Sequence, residues 1–310
     1  MAFSRTKALQ SLPAGLIERL QEQFTPSEFE SVLRGFAVER LPVLRLNPLV
    51  GAPQETLINL KNANVLLEKI PALPFAYLVK NRQEKFLLEL PAMQQGRCLL
   101  QGLSSQLPVH FLAPKLGEKI WDMCAAPGSK TTQLAALLGE NGEIIASELD
   151  QIRFQKLQNT VAIQKCQSIV RTIHADATRL AQDFPEYFAA ILFDAPCSAE
   201  GRISLAEAST YGFWSQKNIV AHAKLQRRLL RAAVKALKKG GRLLYSTCTL
   251  APEENEGIVS WALAEFSEIL RHVPLRAGDF APLIREQNNC LQILPQDKAE
   301  GFFLSAFQKK

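Results

Sequence analysis

Lys119-Ile120-Trp121-Asp122-Met123-Cys124-Ala125-Ala126-Pro127-Gly128-Ser129-Lys130-Thr131 decides the fold. Its first six residues are the kind of apolar run that forms a buried strand. Small residues, a proline and a glycine follow, which is turn chemistry. Residues 131–138 then read as a helix, with Leu134, Leu137 and Leu138 on one face. Strand, tight turn and helix in that order open an α/β unit. Small side chains at Ala125, Ala126 and Gly128 would let a ligand approach the backbone. The helix that follows presents free N–H groups and a positive dipole end.

The pattern continues outward. Residues 143–147 read as a second strand and deliver Glu148, 20 residues after Gly128. That spacing suits a carboxylate accepting hydrogen bonds from ribose hydroxyls. Residues 168–173 deliver Asp176, and Ala189-Ala190-Ile191-Leu192-Phe193 delivers Asp194. Each acid alone could be a helix cap or a solvated loop residue. Together they predict a doubly wound, Rossmann-like sheet with a nucleoside-type cofactor at its strand ends. The loop is not a P-loop, because Ser129 separates Gly128 from Lys130 and Met123 stands five residues before Gly128. It also lacks the G-x-G-x-x-G fingerprint. A cofactor without a bound phosphate fits better.

Two cysteines stand just beyond two such strands. Cys197 follows Asp194-Ala195-Pro196, and Cys248 follows Arg242-Leu243-Leu244-Tyr245-Ser246-Thr247. An isolated free cysteine is usually a packed apolar side chain. Two at neighbouring strand ends could instead share one site, one as nucleophile and one as acid or base.

Asp122-Met123-Cys124-Ala125-Ala126-Pro127-Gly128-Ser129-Lys130-Thr131, Asp194-Ala195-Pro196-Cys197-Ser198 and Ser246-Thr247-Cys248-Thr249 resemble the RNA cytosine-C5 methyltransferases of the NOL1/NOP2/Sun family, most closely the bacterial 16S rRNA enzymes of the F type. Gly96, Gln101, Ser105, Gln226, Gly240-Gly241, Pro252-Glu253-Glu254-Asn255-Glu256, Ile293-Leu294-Pro295 and Gly301-Phe302-Phe303 extend the likeness over residues 90–310. Ala199 stands where the family usually has glycine, and residues 202–206 lack a basic-then-acidic cluster expected there.

The resemblance implies a class I methyltransferase using S-adenosyl-L-methionine. Cys124, Ala125, Ala126, Pro127, Gly128, Ser129, Lys130, Glu148, Asp176 and Asp194 would hold the cofactor. Cys248 would attack C6 of cytosine, Asp194 would hold the pyrimidine edge, and Cys197 would help remove the C5 proton. RNA is the implied partner, rRNA ahead of tRNA.

The chemistry is coherent by itself. C5 of cytosine is a poor nucleophile until a thiolate adds to C6, and a second group must then take the C5 proton. A methyltransferase of protein or small molecules would need no paired cysteines. A non-catalytic RNA-binding protein would have been free to lose Cys248.

The rest of the chain sets bounds. With 310 residues and 47% hydrophobic content, one large and one small domain can fold. We expect an N-terminal helical, RRM-like RNA-binding lobe over residues 1–95 and a catalytic domain over 96–310. In the lobe, residues 12–37 read as two helices, residues 43–46 and 75–79 as strands, and residues 54–67 as a helix. No RNP-type aromatic run is present. The final Phe302-Phe303-Leu304 strand is expected to run antiparallel at the sheet edge.

No apolar run reaches about 18 residues, and none follows the start Met1-Ala2-Phe3-Ser4-Arg5, so neither a membrane span nor a secretory signal is expected. Six scattered cysteines without C-x-x-C spacing predict no metal and no disulfide framework, hence a reducing, cytoplasmic setting. A monomer is expected. The net charge of +6 suits a polyanionic partner. Lys217, Lys224, Arg227, Arg228, Arg231, Lys235, Lys238, Lys239 and Arg242 fall in a stretch without Asp or Glu. They read either as a solvated face or as a phosphate-contacting one. Arg40, Arg45, Lys80 and Arg82 are the alternative cations, in the N-terminal part.

Overall fold

The computed structural model describes residues 3–310; Met1 and Ala2, the first residues of the expected lobe, lie outside the described residues. Three helices come first: α1 (Arg5–Ser11), α2 (Ala14–Gln23) and α3 (Pro26–Ala37). Helix α3 opens with a capping box between Thr25 and Glu28, and Pro26 takes its first position. The helices bury Leu16, Leu20, Phe29 and Leu33 against Ile203, Tyr211 and Leu250, which lie far along the chain. They therefore brace the segments that carry Ile203, Tyr211 and Leu250.

Next come β1 (Val43–Leu46), α4 (Pro53–Asn62), β2 (Leu67–Lys69), β3 (Ala76–Val79), α5 (Glu84–Leu88), α6 (Pro91–Gln94) and β4 (Cys98–Leu100). The sheet order is β2-β3-β1-β4 with every neighbouring pair antiparallel. This is the βαββαβ topology of RRM-like folds. The helix expected over residues 54–67 ends at Asn62; Asn64 turns at φ +56° and Leu67 already belongs to β2. The fourth strand, Cys98–Leu100, lies beyond the boundary expected at residue 95.

Side chains alternate across β1. Leu44 and Leu46 pack with Leu60, Leu87 and Met93 beneath the lobe's helices. Val43, Ala76 and Leu78 pack into the core of the following domain instead. The sheet face with which an RRM stacks bases is thus covered by the larger part of the chain that follows. Arg45 lies on that face and is only 2% exposed, so it is not part of a basic surface. It donates to the Gln101 side chain, to the Ser129 carbonyl at 2.7 Å and to Thr132 Oγ1 at 2.8 Å, tying the lobe to the glycine loop.

The larger part holds α7 (Leu103–Leu112), β5 (Lys119–Asp122), α8 (Ser129–Leu138), β6 (Glu143–Glu148), α9 (Gln151–Ile163), β7 (Val170–His174), α10 (Ala177–Leu180), β8 (Phe188–Asp194), α11 (Gln216–Ala236), β9 (Leu237–Thr247), α12 (Glu256–Glu265), β10 (Leu270–Val273), β11 (Arg285–Gln287), β12 (Cys290–Ile293) and β13 (Phe302–Lys309). Five strands, in the order β9-β8-β5-β6-β7, are parallel. Both faces are covered. Ile120 and Ile144 pack toward Leu107, Leu134 and Leu157, while Trp121 and Ile145 pack toward Leu230 and Ile258. The strand order reverses between β5 and β8, and ligand crevices open at such a switch point.

Strand β13 runs antiparallel to β9, as expected, but it is not an edge. Its eight residues are long enough for β12 to pair with the first part and β10 with the last. Among the described residues, no helix is long and apolar enough to cross a membrane, and no group of three or more His, Cys, Asp or Glu side chains could hold a metal ion.

Candidate active site

A cleft of about 620 Å³ opens at the carboxyl ends of the parallel strands. That is within the usual range for small-molecule sites, on the order of 300–1,000 Å³. Asp122, Cys124, Ala125, Ala126, Pro127, Ser129 and Lys130 line one end, and Asp194, Cys197 and Cys248 line the other. The walls come from Arg40, Pro42 and Gln101 of the lobe side and from Arg202 and Phe302.

The loop after β5 is held by the Ala125 N–H, which donates to the Ser147 carbonyl at 3.0 Å. Gly128 has φ +107°, and a Cβ there would lie 3.1 Å from Leu157 Cδ1 and Thr160 Cβ on α9. Gly128 does not line the cleft. Its glycine serves the left-handed turn and the packing of α9.

Asp122 is 1% exposed. Its Oδ2 accepts from Thr131 Oγ1 at 2.7 Å, and its Oδ1 is buried without a partner. Burial pushes this carboxyl up to about 7. Lys130 Nζ donates to Asp194 Oδ2 at 2.7 Å and to Ser105 Oγ at 2.9 Å. Burial opposes the Lys130 charge, but Asp194, together with Asp122 and Cys248, more than offsets it and holds the ammonium above the usual lysine range. Asp194 Oδ1 accepts from Ser246 Oγ at 2.7 Å, across β8 and β9.

The two predicted thiols meet: Cys197 Sγ and Cys248 Sγ are 3.4 Å apart. The Cys248 sulfur and burial together push the Cys197 thiol well above its ordinary range. Burial does the same to Cys124, with the Glu148, Asp122 and Asp194 charges adding to it, so Cys124 stays a thiol. Cys98, Cys166 and Cys290 are buried packing residues, as isolated cysteines usually are.

Beneath the thiols lies a polar layer that the sequence did not single out. The Glu254 carboxylate is 0% exposed. It accepts from the Ser198 N–H at 3.2 Å, from the Ser198 hydroxyl and from Gln226 Nε2 at 2.8 Å. Gln226 also donates to the Pro196 carbonyl at 2.9 Å, so this layer fixes both sides of Cys197. Burial pushes Glu254 up to about 7. Gly201 and Gly301 cross so closely that a Cβ on Gly201 would sit 2.1 Å from the Gly301 oxygen. The crossing pins the connection before β13 against the loop that carries Cys197. The only sequence trace of this layer was membership of Gln226, Glu254 and Gly301 in longer motifs.

Glu148 and Asp176 do not line the cleft. Glu148 Oε1 accepts from the Leu149 and Asp150 N–H groups at 3.0 Å each, and Arg153 lies 3.7 Å from Oε2. Asp176 caps α10, accepting from the Thr178 N–H and hydroxyl at 2.8 and 2.7 Å. The acid-free basic stretch is partly committed within the fold. Arg231 pairs with Glu265 at 2.9 Å, Arg242 with Glu118 at 2.7 Å, and Lys235 donates to Gln182.

Similarity to known proteins agrees with this geometry. Residues 109–308 match the family model described as 16S rRNA methyltransferase RsmB/F. A ribosomal RNA small subunit methyltransferase F of Serratia proteamaculans is 34% identical over 273 residues, 86% of this chain and 56% of that protein. The mouse tRNA (cytosine(72)-C(5))-methyltransferase NSUN6 is 42% identical over 179 residues, 54% of this chain and 37% of that protein. The crystal structure of PH0851 superposes with a TM-score of 0.87 at 29% identity, covering 98% of this chain and 67% of that one. The chain spans about half the length of the curated relatives it matches. With the family match covering most of its length, the chain belongs to the 16S rRNA methyltransferase RsmB/F family.

Proposed function

We propose that the protein is an S-adenosyl-L-methionine-dependent RNA (cytosine-C5) methyltransferase that acts as a monomer through a cysteine adduct. The observation that carries this reading is the 3.4 Å approach of Cys197 and Cys248 in a cleft shared with Asp194, Lys130 and the loop after β5. The residues fit the cofactor. The buried Oδ1 of Asp122 lacks a donor, which an ammonium or N–H group would supply, and the Ala125-Ala126 backbone borders the cleft. Asp122, Cys124, Ala125, Ala126, Pro127, Ser129 and Lys130 would hold it directly. Gly128 would shape the loop, and Glu148 and Asp176 would act from behind. When bound, the cofactor supplies an electrophilic methyl group.

The chain's own residues do the rest. The Cys248 thiolate forms a bond to C6 of cytosine, and the electron pair of the C5=C6 bond becomes available at C5. Asp194, held by Lys130 and Ser246, accepts from the N4 edge of the base. Once C5 is methylated, Cys197 takes the C5 proton. The neighbouring sulfur and burial make Cys197 a thiol at rest, so it first releases its own proton to water and takes the C5 proton as the thiolate. The C5–H electrons restore the C5=C6 bond, and Cys248 leaves as a thiolate.

Small-subunit rRNA is the preferred substrate, because the rRNA relative matches 86% of this chain and the tRNA relative 54%. The N-terminal lobe, extended to about Leu100 to take in β4, builds a wall of the cleft with Arg40, Pro42 and Val43. The test uses labelled cofactor with small-subunit rRNA and with tRNA. Cys248→Ala should abolish both methyl transfer and any denaturation-resistant protein–RNA adduct, whereas Cys197→Ala should accumulate that adduct. A Cys197→Ala protein that turns over normally and traps no RNA refutes the assignment. Methylation of tRNA alone refutes the substrate.

A further inference from the structure

The rim of the cleft carries basic side chains from three separate segments. Arg40 precedes β1, Arg202 follows the Cys197 loop, and Lys298 lies in the connection between β12 and β13. Arg153 lines the same cleft, as do three acids, Glu84, Asp122 and Glu300, and Lys130 is already paired with Asp194. The rim is therefore left with one positive charge in excess.

The two arginines are poorly satisfied by the protein. Arg202 has a single ion pair, to Glu300 at 3.5 Å, and its side chain is still 62% exposed. Glu300 is also the acidic neighbour that supports the charge of Arg40. One carboxylate thus answers two guanidiniums. The Nε and Nη2 of Arg40 are screened from water and have no partner. Leaving such donors unpaired costs free energy, so an incoming anionic acceptor is favoured. Arg202 lines the same cleft as Cys197 and Cys248.

A base can reach Cys248 only unpaired or flipped out, with its sugar and phosphate left at the rim. Phosphates provide most contacts in such complexes, and guanidinium forks match their geometry. We propose that Arg40 and Arg202 form a phosphate clamp on the nucleotide whose base enters the cleft. Lys298 adds to the field. The clamp rests on the RNA reading above. It assigns RNA backbone recognition to the rim, not to the buried sheet face of the N-terminal lobe.

The test measures binding of a fluorescently labelled, single-stranded RNA oligonucleotide containing one cytosine to the full chain over a salt series, without cofactor. Arg40→Gln and Arg202→Gln should each weaken binding about tenfold. Each should also make the slope of log affinity against log salt shallower by about 0.7. Arg202→Lys should restore the slope, and Arg34→Gln should leave it unchanged, because Arg34 pairs with Glu30 and does not line the cleft. Calorimetric binding of S-adenosyl-L-methionine reports that each variant is folded. Should Arg40→Gln fail that control, the mostly exposed Arg202 carries the test alone. Wild-type slopes in folded variants overturn the clamp while leaving the RNA reading intact. Loss of cofactor affinity with RNA binding unchanged overturns it too, by assigning the guanidiniums to the cofactor's carboxylate. A wild-type chain with no salt-dependent RNA affinity overturns both.

Discussion

Replacing Glu254 with glutamine should change how stability depends on pH, and the size of the change follows from the site. Glu254 is 0% exposed and its carboxyl is raised from 4.5 to about 7 by burial, against the hydrogen bonds from Ser198 and Gln226. The unfolded chain releases this proton near 4.5, while the folded chain keeps it until about 7. Between those values the folded state binds more protons, so this group makes stability fall as pH rises. The slope is about 1.4 kcal/mol per pH unit. Below the lower value and above the higher one its contribution is constant.

Glutamine cannot ionise. From pH 5.5 to pH 7 the Glu254→Gln protein should therefore gain about 2 kcal/mol relative to wild type, 1.5 units at that slope. Taking the difference between the two proteins cancels every other titrating group, including Asp122, which behaves in the same sense. Urea denaturation at several pH values between 5 and 8.5 measures it. A difference that stays constant with pH would mean that Glu254 is ionised throughout and that the buried layer beneath Cys197 carries a full negative charge at every working pH.

Two further outcomes follow from backbone and loop geometry. Ala199 sits in the left-handed region at φ +59°, where the family usually has glycine, so Ala199→Gly should relieve about 1–2 kcal/mol of strain. Subtracting the greater freedom of unfolded glycine, roughly 0.4–1 kcal/mol, leaves a small net stabilisation that denaturant midpoints would show; a clear loss of stability would contradict it. Glu148→Ala should weaken S-adenosyl-L-methionine binding by up to about tenfold, since it removes the acceptor that holds the Leu149 and Asp150 N–H groups behind the site and a typical hydrogen bond is worth about 0.5–1.5 kcal/mol. Calorimetry giving the wild-type constant would remove Glu148 from the cofactor site and leave it as the residue that closes the turn onto α9.

The sequence by itself determined the strand–turn–helix rhythm from residue 119 to residue 194 and the placing of Asp194, Cys197 and Cys248 just beyond parallel strands. It also determined the two helices within residues 12–37 and the strand at residues 43–46. These depend on periodicity, turn chemistry and caps, which act over a few residues and are written locally. Tertiary structure alone decided the rest. The 3.4 Å contact of two sulfurs 51 residues apart depends on β8 and β9 lying side by side. What the missing Cβ of Gly128 makes room for shows only in the packing of α9. The lobe's sheet face and Arg45 looked available to RNA, because an alternating strand pattern does not say which partner covers its second face. Strand β13 looked like an edge, since the pairing of β10 and β12 onto its two halves joins segments whose adjacency only the folded sheet specifies. Convergence of Arg40, Arg202 and Lys298 on one rim has no local signature, because the energy that brings them together belongs to the cores beneath them.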